Sequence, residues 1–290
     1  MGLFRTFIVM RMKAVRSLRE MTRLLDADPR LRKLCLIKPN EAAYPRSVLS
    51  RFIRKVGENN LINIIEEKVV KLLKQNGAIE VDAVFDASFI KAWSTQDPLD
   101  NQKGYSDIEA RVGRAGRTFG LGYKLHLSID SATMLPLTCT FASANQNEQK
   151  HSLNLLDKTK LILKQSEAKL RSVIADSQYS DSKLRNAVDA AVISYRANQK
   201  RAVKGLLRVD KKFRTYGPDD QKKEYHKRPH IEAVYSFLKT QYSLTINKAK
   251  GLGNVASYAL ISSLCLVLNR EAAENTGRYD KAVSPAYFNT

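Results

Sequence analysis

Three carboxylates in this sequence stand where phosphodiester chemistry would need them. Asp86 lies in "VFDAS", after apolar residues. Asp176 lies in "VIADSQY", where a short apolar run gives way to a polar turn. Glu232 lies in "YHKRPHIEAVYSFLK", alone among basic and apolar side chains. Acidic residues at strand ends can share divalent cations when neighbouring strands bring them together. Two metals about 4 Å apart activate a water or hydroxyl and stabilise the leaving oxygen of a phosphodiester. Magnesium suits this work because it needs few protein carboxylates and keeps waters that a substrate phosphate can replace. A carboxylate on an apolar strand costs free energy unless it is paired or bound to metal, which singles out Asp86.

Each carboxylate also has an ordinary structural reading. Aspartate before serine and a helix is a common cap, which fits Asp176. Asp82, at the start of the first strand, and Asp130, in "SIDSATM", are rivals, although aspartate is a usual choice for a hairpin turn. Taken singly, no aspartate is specific. Glu232 adds geometry. At about 100° per helical residue, Arg228 and Lys239 fall within a narrow arc around it. Ile231, Val234, Tyr235, Leu238 and Tyr242 form a separate apolar stripe. The helix therefore packs on one side and presents a carboxylate flanked by cations beside it. Pro229 sits in the first turn, with Arg228 near the cap and Tyr225 in the approach. The competing reading is an intrahelical Arg228–Glu232 pair, worth about 0.2–0.5 kcal/mol.

Alternating and helical patterns give the elements that must carry these residues. "VDAVFDASFIKAW" reads as a strand, and a long polar, glycine-punctuated connection follows from Ser94 to Gly122. "YKLHLSID" and "LPLTCTFAS" read as a hairpin around "SATM". "EQKHSLNLLDKTKLILKQ" is helical, "RSVIAD" a strand, "DSKLRNAVDA" helical and "AVISYRA" strand-like. A basic stretch over 199–228 leads into the helix of Glu232. This order predicts a mixed α/β domain. Residues 1–80 read as helical. In "YPRSVLSRFIRKVG", Val48, Leu49, Phe52, Ile53 and Val56 share one face, with Arg46, Ser47, Ser50, Arg51, Arg54 and Lys55 on the other. Pro45 marks its start and Gly57 its stop. With "SLREMTRLL" upstream, this segment reads equally as a helix-turn-helix entering a DNA groove or as an amphipathic helix with a solvated basic face.

The 290 residues carry 49 Lys and Arg against 29 Asp and Glu, a formal charge of +20. That excess points to a polyanionic partner, with nucleic acid first, though charge alone also fits a merely basic surface. Cys35, Cys139 and Cys265 lie far apart in apolar surroundings, as reduced core residues of a cytosolic protein do. His226 and His230, with Pro229 between them and no Cys or Glu partner, make a poor zinc site. "VASYALISSLCLVL" is short for a membrane span and reads as a buried helix.

Tyr225, Arg228, Glu232 and Lys239 match the Y-(2)-R-(3)-E-(6)-K spacing without a gap. In this the chain resembles the DDE-type transposases of prokaryotic insertion sequences. "FDAS" and "IADSQYSD" look like that family's two aspartate motifs. "FGLGYKLHLSID" and "LPLTCTFASANQNEQ" look like the strands and asparagine-containing turn between them. "YPRSVLSRFIRKVG" is similar to its N-terminal DNA-binding segment, so the resemblance runs from about residue 15 to 270.

The resemblance implies a ribonuclease H-like mixed sheet over 81–270, behind a helical DNA-binding region over 1–80 and before a tail over 271–290. It implies that Asp86, Asp176 and Glu232 are catalytic and bind two Mg²⁺ or Mn²⁺ ions. Tyr225, Arg228 and Lys239 would hold transposon-end DNA, and Arg46, Ser47, Ser50, Arg51, Arg54 and Lys55 would bind DNA through the N-terminal helix. The implied partners are double-stranded DNA, as terminal inverted repeats and target, and a second copy in a homodimer. The implied location is the cytoplasm, on the nucleoid, with no membrane. Gln178 stands where the family often has glycine, and Ser88 where threonine is common. The interval from Asp176 to Glu232 is short, lacking the β-rich insertion that some relatives use in a DNA-hairpin route. Two alternatives stay open here: a ribonuclease H-like nuclease without strand transfer, and an inactive DNA-binding copy.

Overall fold

The computed structural model describes residues 1–95, 104–194, 223–246 and 248–284. Most of the basic stretch over 199–228, and the end of "AVISYRA", lie outside them. Four helices come first: α1 (Gly2–Met12), α2 (Leu18–Ala27), α3 (Pro29–Leu34) and α4 (Arg46–Gln75). Asp28 ends α2 and caps α3, accepting hydrogen bonds from the Arg30 and Leu31 amides, with Pro29 in the first turn. The helix-turn-helix expected from "SLREMTRLL" and "YPRSVLSRFIRKVG" therefore has a third short helix between its two members. Gly57 has φ 70° and ψ 170° and interrupts α4. Glycine reaches that conformation without a Cβ penalty, so the expected stop is a kink and helix resumes beyond it.

Next come β1 (Glu80–Lys91), β2 (Arg111–Ala115), β3 (Thr118–Asp130), β4 (Pro136–Ser143), α5 (Gln149–Gln165), β5 (Lys169–Ala175), α6 (Ser182–Asn186), β6 (Ala191–Ile193), α7 (Pro229–Thr240) and α8 (Leu252–Asn275). β1 pairs antiparallel with β3 and parallel with β5, β3 pairs with β4 and β2, and β5 pairs parallel with β6. Three antiparallel strands continued by two parallel ones, with helices between, make the ribonuclease H-like sheet. The connection from Ser94 to Gly122 is corrected by β2, which folds onto the first part of β3 through the turn around Gly116. Its exposed residues and two glycines gave no alternation to read. Gly113 is required there, since a Cβ would lie 2.0 Å from the Ala144 carbonyl oxygen.

α7 buries Ile231, Val234 and Leu238 completely. Each is worth about 1.5–3 kcal/mol, which fixes the helix over the sheet with its polar side facing out. α8 is long and apolar enough to cross a membrane, yet most of it is buried within the protein. Ser257, Ser262 and Ser263 satisfy their hydroxyls on carbonyls one turn back, so serine costs little there. α1 and α4 pack on α8, and Phe7, Leu49, Leu61 and Val69 belong to the same hydrophobic cluster as Phe85, Leu127 and Leu264. The N-terminal helices and the sheet thus share one core. Beyond α8, the Asn269 amide donates to the Lys281 and Ala282 carbonyls, folding the first part of the 271–290 segment back on the helix.

Candidate active site

The last parallel pair between β1 and β5 is Phe85 with Ala175. Asp86 and Asp176 are the next residues on the two strands, where pairing stops and the sheet opens. The Asp86 side chain is 17% exposed. The Asp86 backbone is held by the buried Tyr235 hydroxyl of α7, which donates to the Asp86 carbonyl at 2.8 Å and the Leu125 carbonyl at 2.9 Å. Asp176 caps a single 3₁₀ turn, Ser177–Tyr179, accepting from the Gln178 amide at 2.8 Å. The cap reading of Asp176 is thus correct, and one carboxylate oxygen can cap while the group faces the cleft. Glu232, in the first turn of α7, lines the same cleft of about 970 Å³ as Asp86 and Asp176.

Charge in this cleft is unbalanced. Burial pushes the Asp86 carboxyl up to about 7; Arg228 opposes the shift, while Asp176 and Glu232 add to it. Burial also raises Asp176, against the Gln178 amide bond and Arg228, with Glu148 adding to the rise. The Arg228 guanidinium stands 2.8 Å from Glu232 and 4.0 Å from Asp86. The intrahelical pair weighed from sequence is therefore present, and it reaches a second carboxylate as well. Lys239 lines the cleft one side over, its ammonium 5.9 Å from the Tyr235 ring; burial lowers its pKa and Asp86 opposes that. Tyr225 packs against the core in the approach to α7.

Two residues that the sequence did not mark belong here. Lys124 of β3 and Glu148, just before α5, form a pair at 2.7 Å on the cleft wall. They are 24 residues apart and meet only through the fold. Behind the cleft, His126 bonds the Tyr179 hydroxyl through Nδ1 at 3.0 Å and stacks on His151 at 4.5 Å. Burial holds the His126 ring neutral, its pKa lowered to about 3.

The rivals are accounted for. Asp82 is buried and bonded to Arg171, to Ser172 at 2.7 Å and to Lys227 at 2.7 Å. It is an ion-pair hub on the far side of the strand pairing. Asp130 accepts from the Ala132 and Thr133 amides, as a turn aspartate does. The α4 residues expected to bind DNA stand apart from the cleft: Arg46, Ser50 and Arg54 line a separate groove, while Ser47, Arg51 and Lys55 lie on the next helical row.

Donor chemistry in the cleft fits a hard divalent cation, with carboxylate oxygens supplied from three elements. Among the described residues, no three His, Cys, Asp or Glu side chains are already arranged to hold a metal. The Arg228 guanidinium lies between Asp86 and Glu232.

The sequence profile of the transposase DDE domain matches residues 79–268, from β1 into α8. No curated protein sequence matches the chain. Among solved structures, it is similar to the piggyBac transposase synaptic complex with hairpin DNA, at 10% identity over 97% of this chain and 68% of that one, with a TM-score of 0.44. It is also similar to the Mos1 transposase paired-end complex with the left transposon end, at 12% identity over 92% and 78%, with a TM-score of 0.26. The family match spans most of the chain and both strands that carry the aspartates. The chain belongs to the DDE transposase family, enzymes that use divalent metal ions to cleave DNA and transfer its strands in transposition.

Proposed function

We propose that Asp86, Asp176 and Glu232 are the catalytic carboxylates and hold two ions, Mg²⁺ or Mn²⁺. The observation that carries this is the position of Asp86 and Asp176 side by side past the last strand pair, with Glu232 on the same cleft. Ions bound there supply activation of a water or a DNA 3′-hydroxyl and stabilise the charge of the leaving oxygen. Tyr235 fixes the Asp86 backbone, and the Gln178 amide orients Asp176. Arg228 holds Glu232 and, with Lys239, offers positive charge to a scissile phosphate. A guanidinium can grip that phosphate through two parallel hydrogen bonds.

The finer assignment is a prokaryotic insertion-sequence transposase of the Y-(2)-R-(3)-E-(6)-K group, supported by Tyr225, Arg228, Glu232 and Lys239 at that spacing. It acts on terminal inverted repeats and target DNA, as a homodimer, at the nucleoid. Residues 1–80 supply DNA contacts through Arg46, Ser47, Ser50, Arg51, Arg54 and Lys55, and 81–270 the chemistry, with 271–290 as a tail. The test incubates purified protein and Mg²⁺ with labelled duplex from the flanks of its coding region. Specific cuts at inverted repeats and joined products support the reading; hydrolysis without joined products reduces it to a nuclease. Separately, Mn²⁺ binding followed by electron paramagnetic resonance should weaken in Asp86→Asn and Glu232→Gln, and unchanged binding in both would remove them from the metal site.

A further inference from the structure

A second groove lies away from the carboxylates, between α2, α4 and the segment around 246–254. Its volume is about 670 Å³. Arg16, Arg19, Arg46, Arg54, Lys248 and Lys250 line it, and among the described residues no carboxylate does. Among the described residues none of these six forms an ion pair; Lys250 donates to the Ser106 hydroxyl at 2.9 Å. Met10, Ile53 and Tyr258 supply an apolar part of the wall. At its edge stands Trp93, the single tryptophan of the chain, 52% exposed. The Lys248 ammonium lies 5.2 Å from its ring centroid.

A half-exposed aromatic ring stands here in a groove lined by six cations, one of them over its face. This matches what single-stranded nucleic acid requires: positive charge to track the backbone and a ring on which a base can stack. The volume belongs to the ~300–1,000 Å³ class that takes one compact ligand. That is room for about one or two nucleotides, and a duplex, with its bases paired and stacked, cannot present a base to the ring. Trp93 lies two residues past the end of β1, the strand that carries Asp86.

We propose that this groove holds an unpaired strand of DNA, its phosphates on the six cations and one base on Trp93. The proposal rests on the chain acting on DNA, because cleavage and strand transfer leave ends whose bases can quit the stack. It does not rest on the carboxylates, since the groove needs no metal to bind an anion.

Tryptophan fluorescence of the full chain reads the contact directly, because no other tryptophan contributes. In metal-free buffer with chelator, the protein is titrated with a short oligothymidylate, a blunt duplex, and an abasic strand of equal length and charge. Quenching by the oligothymidylate, weaker by the other two, is expected, and the same in Asp86→Asn. Trp93→Ala should weaken oligothymidylate binding about fivefold or more by anisotropy, with Trp93→Phe recovering part of it. Lys248→Ala should reduce both binding and quenching. Equal quenching by the abasic strand or the blunt duplex would overturn the stacking assignment. So would unchanged oligothymidylate affinity in both Trp93→Ala and Lys248→Ala. Since these measurements involve no cleavage, an inactive catalytic cleft with intact quenching would count against the carboxylate assignment alone.

Discussion

Asp86 and Asp176 are the first residues beyond Phe85 and Ala175, the last paired positions of two parallel neighbours. The end of the ladder does two things at once. It frees the cleft for substrate, and it leaves two carboxylates close together where burial raises both of their pKa values.

Asp86→Asn, Asp176→Asn and Glu232→Gln should each lower end cleavage by about 10²-fold or more, as the loss of an essential electrostatic group does. None of them should be less thermally stable than the parent, and their DNA affinity should stay near that of the parent. Gel-based cleavage of matched end DNA checks this, with Asp130→Asn as the active control. Robust metal-dependent cutting by one of the three would remove that residue from the site.

Asp86 makes apo stability fall with pH. Its folded pKa of about 7 lies above the unfolded value of about 3.9. The folded state therefore binds more protons between those values. Its contribution is full below about pH 4 and is lost as pH rises through about 7. In chelator, the melting temperature of Asp86→Asn should gain on the parent across that window and hold a constant lead above it. Arg228→Ala removes the charge that opposes the shift, so in that variant the window should extend to higher pH than in the parent. Parallel pH profiles for parent and Asp86→Asn would contradict the burial argument.

Asp82→Asn should act oppositely to the cleft variants. Burial would raise the Asp82 pKa, but Arg171, Lys227 and Ser172 outweigh it and leave it lowered. Its contribution is present above the unfolded pKa and lost as pH falls through the folded one. The substitution should cost about 1–3 kcal/mol by denaturant unfolding. Cleavage per folded molecule should persist, and a normal stability with lost cleavage would make Asp82 a catalytic group.

Arg228→Lys and Lys239→Ala should fold normally and cleave end DNA poorly. The Arg228–Glu232 pair is partly exposed, so its loss costs stability only about 0.2–1 kcal/mol. Lysine keeps the charge but lacks the planar fork that holds a phosphate through two bonds. Parental cleavage rates in both would return the pair to a helix-stabilising role.

Binding to non-specific duplex should weaken steeply with salt. A formal charge of +20 allows many phosphate contacts, each adding about −0.9 to the slope of log K against log salt. A slope near zero by fluorescence anisotropy would mean that the surplus cations do not meet DNA.

What was legible in the sequence was what is local. β1, β4, β5 and α7 declared themselves because alternation and the 3.6 period are written into neighbouring residues. The two aspartates were visible as acids following apolar runs, and Glu232 as a lone acid among cations at helical spacing. β2 was not, because an exposed edge strand with Gly113 at its centre has no buried face to alternate with. Nor was the Lys124–Glu148 pair, or the hub that joins Asp82 to Arg171 and Lys227, since each depends on distant segments meeting. Asp82 and Asp86 looked alike in sequence, and their neighbours across the sheet decide which is salt-bridged and which faces the cleft. The groove at Trp93 was hidden for the same reason: its cations come from residues 16–54 and 248–250.

α8 closes the core over α1 and α4 although most of the chain separates them in sequence. On the ribosome, Phe7, Leu49 and Leu61 must wait, uncovered, until residues 252–275 emerge. A nascent chain halted before Leu252 would hold the basic face of α4 and both aspartates but no finished interior. Such fragments should be taken by proteases or aggregate rather than compete with intact protein for DNA, which can be checked by expressing residues 1–250 beside the full chain. The helix over 252–275 thus acts as a completeness check on the core that precedes it.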